Sequence, residues 1–231
     1  MRRYFHKTCS FIVAMSLMAS FLGGCSPLPE PESEPVRISL DEAQTLIRAA
    51  LLAEDPDLDP EVAFMLEERT TDELWQRMGA QIFLVGGSLA EFRSAETHLI
   101  IDKQVHRLGM AFGGYGVTSM AVTDLDQDQQ PELFYTYSWG SGLHRAHLAV
   151  YLPQQAGASM GAEPVYLNED FILEKVDDRT LLVKVAHYDP EQDGFVESVL
   201  LGQVRFDERN GVTIELEEGL PPLVMERLML P

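Results

Sequence analysis

Cysteine is nearly absent from this chain: two in 231 residues, Cys9 and Cys25. Both precede the part that reads as folded. That part therefore has no disulfide, no thiolate-bound zinc and no cysteine nucleophile. Positive charge is also scarce, with 17 Lys and Arg against 37 Asp and Glu. Beyond residue 24 the imbalance sharpens to 14 bases against all 37 acids, a formal −23. Such a chain repels phosphate backbones and anionic headgroups, which excludes nucleic acid as a partner. Long apolar runs are missing too. The stretch Phe11–Leu22 falls short of the ~20 apolar residues a membrane-spanning helix needs. No nucleophile elbow, phosphate loop or dinucleotide fingerprint occurs, and Gly113-Gly114-Tyr115-Gly116 lacks the spacing for one.

What is present begins with Arg2, Arg3 and Lys7, and no acid occurs before Glu30. A basic start, an apolar core and small closing residues are the pattern of a secretory signal. The segment Leu22-Gly23-Gly24-Cys25 resembles the lipobox of bacterial lipoproteins, an aliphatic residue and two small ones before an obligatory Cys. That resemblance implies a signal peptide over 1–24 and a lipidated Cys25. The lipid is of the palmitate type, with more than one acyl chain, which suffices for stable anchoring where one chain is marginal. Pro27, Pro29, Pro31 and Pro35, interleaved with Glu30, Glu32 and Glu34, favour an extended, solvated chain. Residues 25–37 therefore read as a lipidated tether. The expected place is the bacterial cell envelope, on the extracytoplasmic side, attached to the membrane through the lipid. Ser26 after the lipidated Cys resembles the sorting pattern of outer-membrane lipoproteins.

Residues 38–231 read as a single α+β domain, mainly antiparallel β with N-terminal helices: helical over 38–79, β-rich over 80–231. Ser39 and Glu42 form a capping box, and Ala43, Leu46, Ile47, Ala50 and Leu51 recur at helical spacing. A weaker helical stretch is expected at 61–68 or 72–78. From residue 80, short apolar runs rich in β-formers follow one another. In 132–139, Leu133, Tyr135, Tyr137 and Trp139 point one way and Phe134, Thr136 and Ser138 the other. Residues 154–162 read as a surface loop. Asn210-Gly211 reads as a hairpin turn, and 220–230 as a terminal strand or short helix.

The chemical lead is Asp124-Leu125-Asp126-Gln127-Asp128-Gln129-Gln130-Pro131-Glu132. Carboxylates at its first, third, fifth and ninth positions aim oxygens at a common centre, as calcium requires. The run resembles the calcium loop of FG-GAP and VCBS-type repeats, Asp-x-Asp-x-Asp-Gly-x-x-Asp/Glu-Leu, on Asp124, Asp126, Asp128, Glu132 and Leu133. Gln129 stands where that pattern has Gly. The resemblance implies Ca2+ as the one cofactor, in a structural role, with a solvated acidic hairpin turn that has lost metal binding as the alternative. An EF-hand fits less well, since its twelfth position is here Tyr135 rather than Glu. The stretch from Tyr137 to Arg145 resembles a segment of bacterial envelope proteins that carry one such loop.

Weaker candidates are the acids of 189–197 and the Asp55, Asp57, Asp59 series. His144 and His147 lack a third ligand for zinc. Tyr115, Tyr135, Tyr137 and Trp139 are candidates for an aromatic contact surface, with ordinary sheet packing as the alternative. Two functions follow. One is a non-enzymatic binding or structural module with a protein or glycan partner. The other is a carboxylate-dependent envelope hydrolase acting on glycans, which needs two acids across one pocket.

Overall fold

The computed structural model describes residues 36–86, 95–109, 116–140, 143–155, 158–162, 164–189, 194–207 and 211–229. Helix α1 (Leu40–Glu54) starts where Ser39 Oγ accepts from the Glu42 backbone N–H at 3.2 Å. Its buried residues Ala43, Ile47 and Leu51 recur every fourth position, so one stripe faces inward. After it come β1 (Met65–Glu68) and the short α2 (Asp72–Met78). Thr71 caps α2 by accepting from Leu74 N at 3.1 Å, and Gly79, at φ 60°, ends it. The strand at 65–68 corrects the helical reading of that stretch. Met65 and Leu66 lie in an edge strand paired with Val85 and Gly86, a partnership without local periodicity to announce it.

The first sheet continues through β2 (Gln81–Gly86), β3 (Thr97–Ile101) and β4 (Gln104–Leu108), in the order β1-β2-β3-β4. Strands β5 (Gly116–Thr123), β6 (Glu132–Trp139) and β7 (Arg145–Leu152) form the middle of a second sheet. A 3-10 turn at Pro153–Gln155, β8 (Ala158–Gly161) and β9 (Val165–Leu167) follow. Within the stretch 154–162 read as a loop, Ala158–Gly161 is a strand: β8 pairs with β7, although its small, polar residues carry no strand signal. A third sheet comprises β10 (Phe171–Asp177), β11 (Thr180–Asp189), β12 (Gly194–Asp207) and β13 (Gly211–Leu216) in sequence order. The chain then forms α3 (Pro222–Arg227) and β14 (Leu228–Met229), which pairs with β9 at the edge of the second sheet. The expected helix and strand at 220–230 both occur, one after the other. All described pairings are antiparallel.

Alternation along the strands explains how the layers stack. In β6, Leu133 and Tyr135 join Ile82, Leu99 and Leu108 of the first sheet in one apolar cluster. Phe134, one residue over, packs with Phe171, Leu181, Val183 and Leu201 of the third sheet. The first sheet repeats this: Phe83, Val85 and Ile100 face away from Ile82 and Leu99 and meet Ala43, Ile47 and Leu51 of α1. The order is helix, sheet, sheet, sheet. The middle sheet is covered on both faces, which is uncommon for antiparallel strands and explains why six of the eight residues of β6 are buried. Thr136, polar and buried within it, is satisfied by donating to the Phe171 carbonyl at 3.1 Å.

Candidate metal centre

Strands β5 and β6 are in register from Val122 opposite Leu133 to Thr123 opposite Glu132. Their pairing closes the loop between Thr123 and Glu132 and fixes its ends. Inside the loop the acids hold the backbone. Asp126 Oδ1 accepts from Asp128 N at 3.2 Å, Asp128 Oδ1 from Gln130 N at 2.7 Å, and Asp124 Oδ2 from Gln129 N at 3.2 Å. These Asx-type bonds curl the chain so that the carboxylates turn inward. Glu132, at the first position of β6, reaches back to accept from Leu125 N at 3.1 Å.

The result is convergence. One carboxylate oxygen from each of Asp124, Asp126, Asp128 and Glu132 lies within 4.8 Å of all the others. This group can hold a metal ion. A calcium–oxygen distance of 2.3–2.6 Å implies a coordination sphere about 4.6–5.2 Å across, which matches that spread. The donors are all hard carboxylate oxygens, the set that calcium prefers and that zinc and copper do not. Glu132 is 3% exposed. Burial, followed by the charges of Asp126, Asp124 and Asp128, pushes its carboxyl up to about 8, against the pull of the Leu125 N–H. Asp124 Oδ1 is buried with no hydrogen-bond partner among the described residues.

Cations stand near the root of the loop, but they serve other acids. Arg77 donates to the Val122 carbonyl at 2.9 Å and to Asp178 Oδ1 at 2.6 Å. Lys175 donates to the same carbonyl at 2.7 Å and pairs with Asp178 and Glu73. Hydrogen bonds from Lys175 and then Arg77 hold the Asp178 carboxyl below its ordinary range. Asp124 N donates to the Asp178 carbonyl at 3.2 Å. The network ties the loop to α2 and to the β10–β11 turn, so whatever fixes the loop also fixes the second sheet against the third.

Gln129 makes the sharp turn that the repeat pattern assigns to Gly, at φ 73°, with Gln127 also left-handed at 64°. A side chain in that region costs about 1–2 kcal/mol relative to Gly. Replacing Gln129 with Gly is therefore expected to stabilise the metal-free protein by about 1 kcal/mol and to leave the carboxylate positions unchanged. Thermal melting checks this; a lower melting temperature contradicts the strained-turn account.

No protein-family model, no curated protein and no solved structure matches the chain. The likeness to FG-GAP and VCBS loops rests on the loop residues themselves.

The other candidates resolve differently. Tyr135 is 1% exposed and belongs to the core between the first two sheets, which corrects its place in a contact surface. Alternation puts it on the same face as Tyr137 and Trp139, and the first sheet packs against that face. Tyr137 and Trp139 are half-buried in a closed stack. Tyr137 lies 5.1 Å from the His147 ring at 12°, and Trp139 Nε1 donates to His147 Nε2 at 2.8 Å. Gly109 crosses the Tyr137 ring so closely that an added Cβ would stand 2.5 Å from it. Arg145 covers Trp139 at 5.2 Å. Burial, with a smaller contribution from Arg145, lowers the His147 pKa and keeps the imidazole a neutral acceptor. Tyr115 lies outside the described residues, as do residues 190–193 of the second acidic run. Asp55 and Asp59 each accept from the backbone two residues on, as loop-capping acids do. Sequence reasoning missed the Arg77–Lys175–Asp178 network, whose members come from three separate elements.

Proposed function

We propose that this protein is a lipid-anchored module of the bacterial envelope whose layered β domain is clamped by calcium at the Asp124–Glu132 loop. It acts by binding a partner outside the cytoplasm rather than by catalysis. The observation that carries the calcium reading is the convergence of four carboxylates, one of them buried, whose oxygens lie within 4.8 Å of one another. Four like charges so close repel one another unless a proton or a cation intervenes. A divalent cation is the counter-charge this geometry suits. Its role is structural, because the loop bridges β5 and β6 and is bonded to the β10–β11 turn.

Attachment to the membrane is supported by the residues before the domain: a basic start, an apolar core, Leu22-Gly23-Gly24-Cys25, and a proline-rich stretch. Among the described residues no helix is long and apolar enough to cross a bilayer. In a bacterial host, Cys25→Ala is expected to move the protein from the detergent phase to the aqueous phase of a Triton X-114 partition, and to abolish incorporation of labelled palmitate. Palmitate labelling that persists in Cys25→Ala overturns the anchor. A glycan or protein partner fits a tethered, strongly acidic domain that is not built to hold nucleic acid.

A further inference from the structure

On the reading of this domain as a binding module, we propose that the open cleft between the β3–β4 turn and the end of β7 is a binding site for a neutral, hydroxyl-rich ligand, a saccharide. The cleft encloses about 420 Å³, within the usual range of small-molecule sites. Its floor is rigid. Tyr151 is buried in β7, and the His106 ring stands edge-on to it at 5.2 Å. Ile101 and Pro153 add a small apolar surface. Asp102, Gln104 and Gln154 form the rim, each exposed and each from a different place in the chain: the hairpin turn, the start of β4, and the turn after β7.

The chemistry of this lining selects the ligand by exclusion. Among the described residues it contains no lysine or arginine. The adjacent Lys103 turns away and pairs with Glu42 at 2.9 Å. His106 is kept neutral because burial lowers its pKa. A phosphate or carboxylate ligand finds no counter-charge here. Two small apolar groups are too few to hold an acyl chain. What remains is two amides, one carboxylate and a neutral imidazole over the buried Tyr151. The amides and the imidazole donate and accept, the carboxylate accepts, and together with a modest apolar floor they suit hydroxyls and the C–H face of a sugar ring. The turn itself points the same way. Asp102 and Lys103 both adopt left-handed backbone, at φ 49° and 61°. A two-residue hairpin turn usually places Asn-Gly or Asp-Gly there, yet the second position here is a lysine. The turn keeps a carboxylate at the rim and a side chain beyond it at a conformational cost. Gln154 also donates to Gln130 of the acidic loop, so the rim is held from the calcium side.

The test is NMR chemical-shift mapping on the purified protein, first in EDTA and then with calcium. The neutral probes are maltotriose and triacetylchitotriose; the charged ones are glucosamine and galacturonate. Either neutral trisaccharide is expected to shift the Gln104 and Gln154 side-chain amides and the His106 ring, with saturation near a Kd of about 1 mM. Asp102→Asn, which keeps the left-handed turn but replaces a charge-assisted hydrogen bond by a neutral one, and Gln154→Ala, which removes an amide, are each expected to weaken binding about fivefold to tenfold. Unchanged melting temperatures will show that both variants fold. Shifts from galacturonate or glucosamine that equal those from the neutral sugars overturn the proposal. So does silence of the cleft with both neutral probes. Binding in EDTA and in calcium alike supports it. A protein that responds to calcium but has a silent cleft refutes the saccharide site and leaves the calcium loop standing.

Discussion

Calcium affinity is expected to rise about tenfold for each pH unit up to about pH 8 and to level off above it. The cause is Glu132, whose carboxyl is pushed up to about 8 in the metal-free protein, chiefly by burial and then by its three Asp neighbours. Below that value the group carries a proton, and a calcium ion must displace it; metal binding then releases one proton. At pH 6 affinity is expected to be about a hundredfold below the plateau, by this one-proton linkage. At the plateau, a Kd of about 0.1–1 mM is typical of extracellular calcium modules. With calcium at a hundred times Kd, the folded state gains about 2.7 kcal/mol. For a domain of this size that is a rise of roughly 5–10 °C in melting temperature. Titrations at several pH values check the slope. A pH-independent affinity contradicts a protonated Glu132 in the loop.

The second large effect is expected from Glu132→Gln in the absence of metal. An acid whose folded pKa is raised contributes no penalty below its unfolded value. Stability is lost as pH climbs from there toward the folded value, because the unfolded state ionises first. For Glu132 the window runs from the ordinary 4.5 to about 8. At about 1.4 kcal/mol per pH unit, the gap amounts to roughly 5 kcal/mol by pH 8. Gln keeps an oxygen for the Leu125 N–H but cannot ionise. The variant is therefore expected to match the wild type near pH 4 and to melt roughly 10–20 °C above it at pH 8 without calcium. It is also expected to lose the calcium response. Urea or thermal unfolding across this pH range measures the difference. Parallel curves for the two proteins contradict the buried-acid account.

The parts of the fold that were legible in the sequence are those with local periodicity. The stripe Ala43, Ile47, Leu51 and the Ser39 cap announced α1. The alternation of Leu133, Phe134 and Tyr135 announced β6 and its two faces. The elements that escaped have no local pattern to read. Strand β1 owes its existence to pairing with β2, and β8 to pairing with β7. Alternation also cannot say what covers each face. Tyr135 shares its alternation with Tyr137 and Trp139, yet the first sheet lies over it. The site divides in the same way. Asp124, Asp126, Asp128 and Glu132 sit within one loop, so their spacing foretold the convergence. That Gln129 adopts the turn without Gly was not legible, since left-handed backbone at a glutamine is imposed by the strand register around it. The saccharide cleft was invisible because Asp102, His106, Tyr151 and Gln154 come from separate elements.

The most direct test of the calcium clamp is isothermal titration calorimetry of calcium into the wild type and into Asp126→Ala at a pH of about 8. The account predicts one ion per chain for the wild type, and an affinity at least about a hundredfold weaker for the variant, as loss of one directly coordinating carboxylate implies. No heat in the wild type at millimolar calcium, or equal binding by the two proteins, would contradict it.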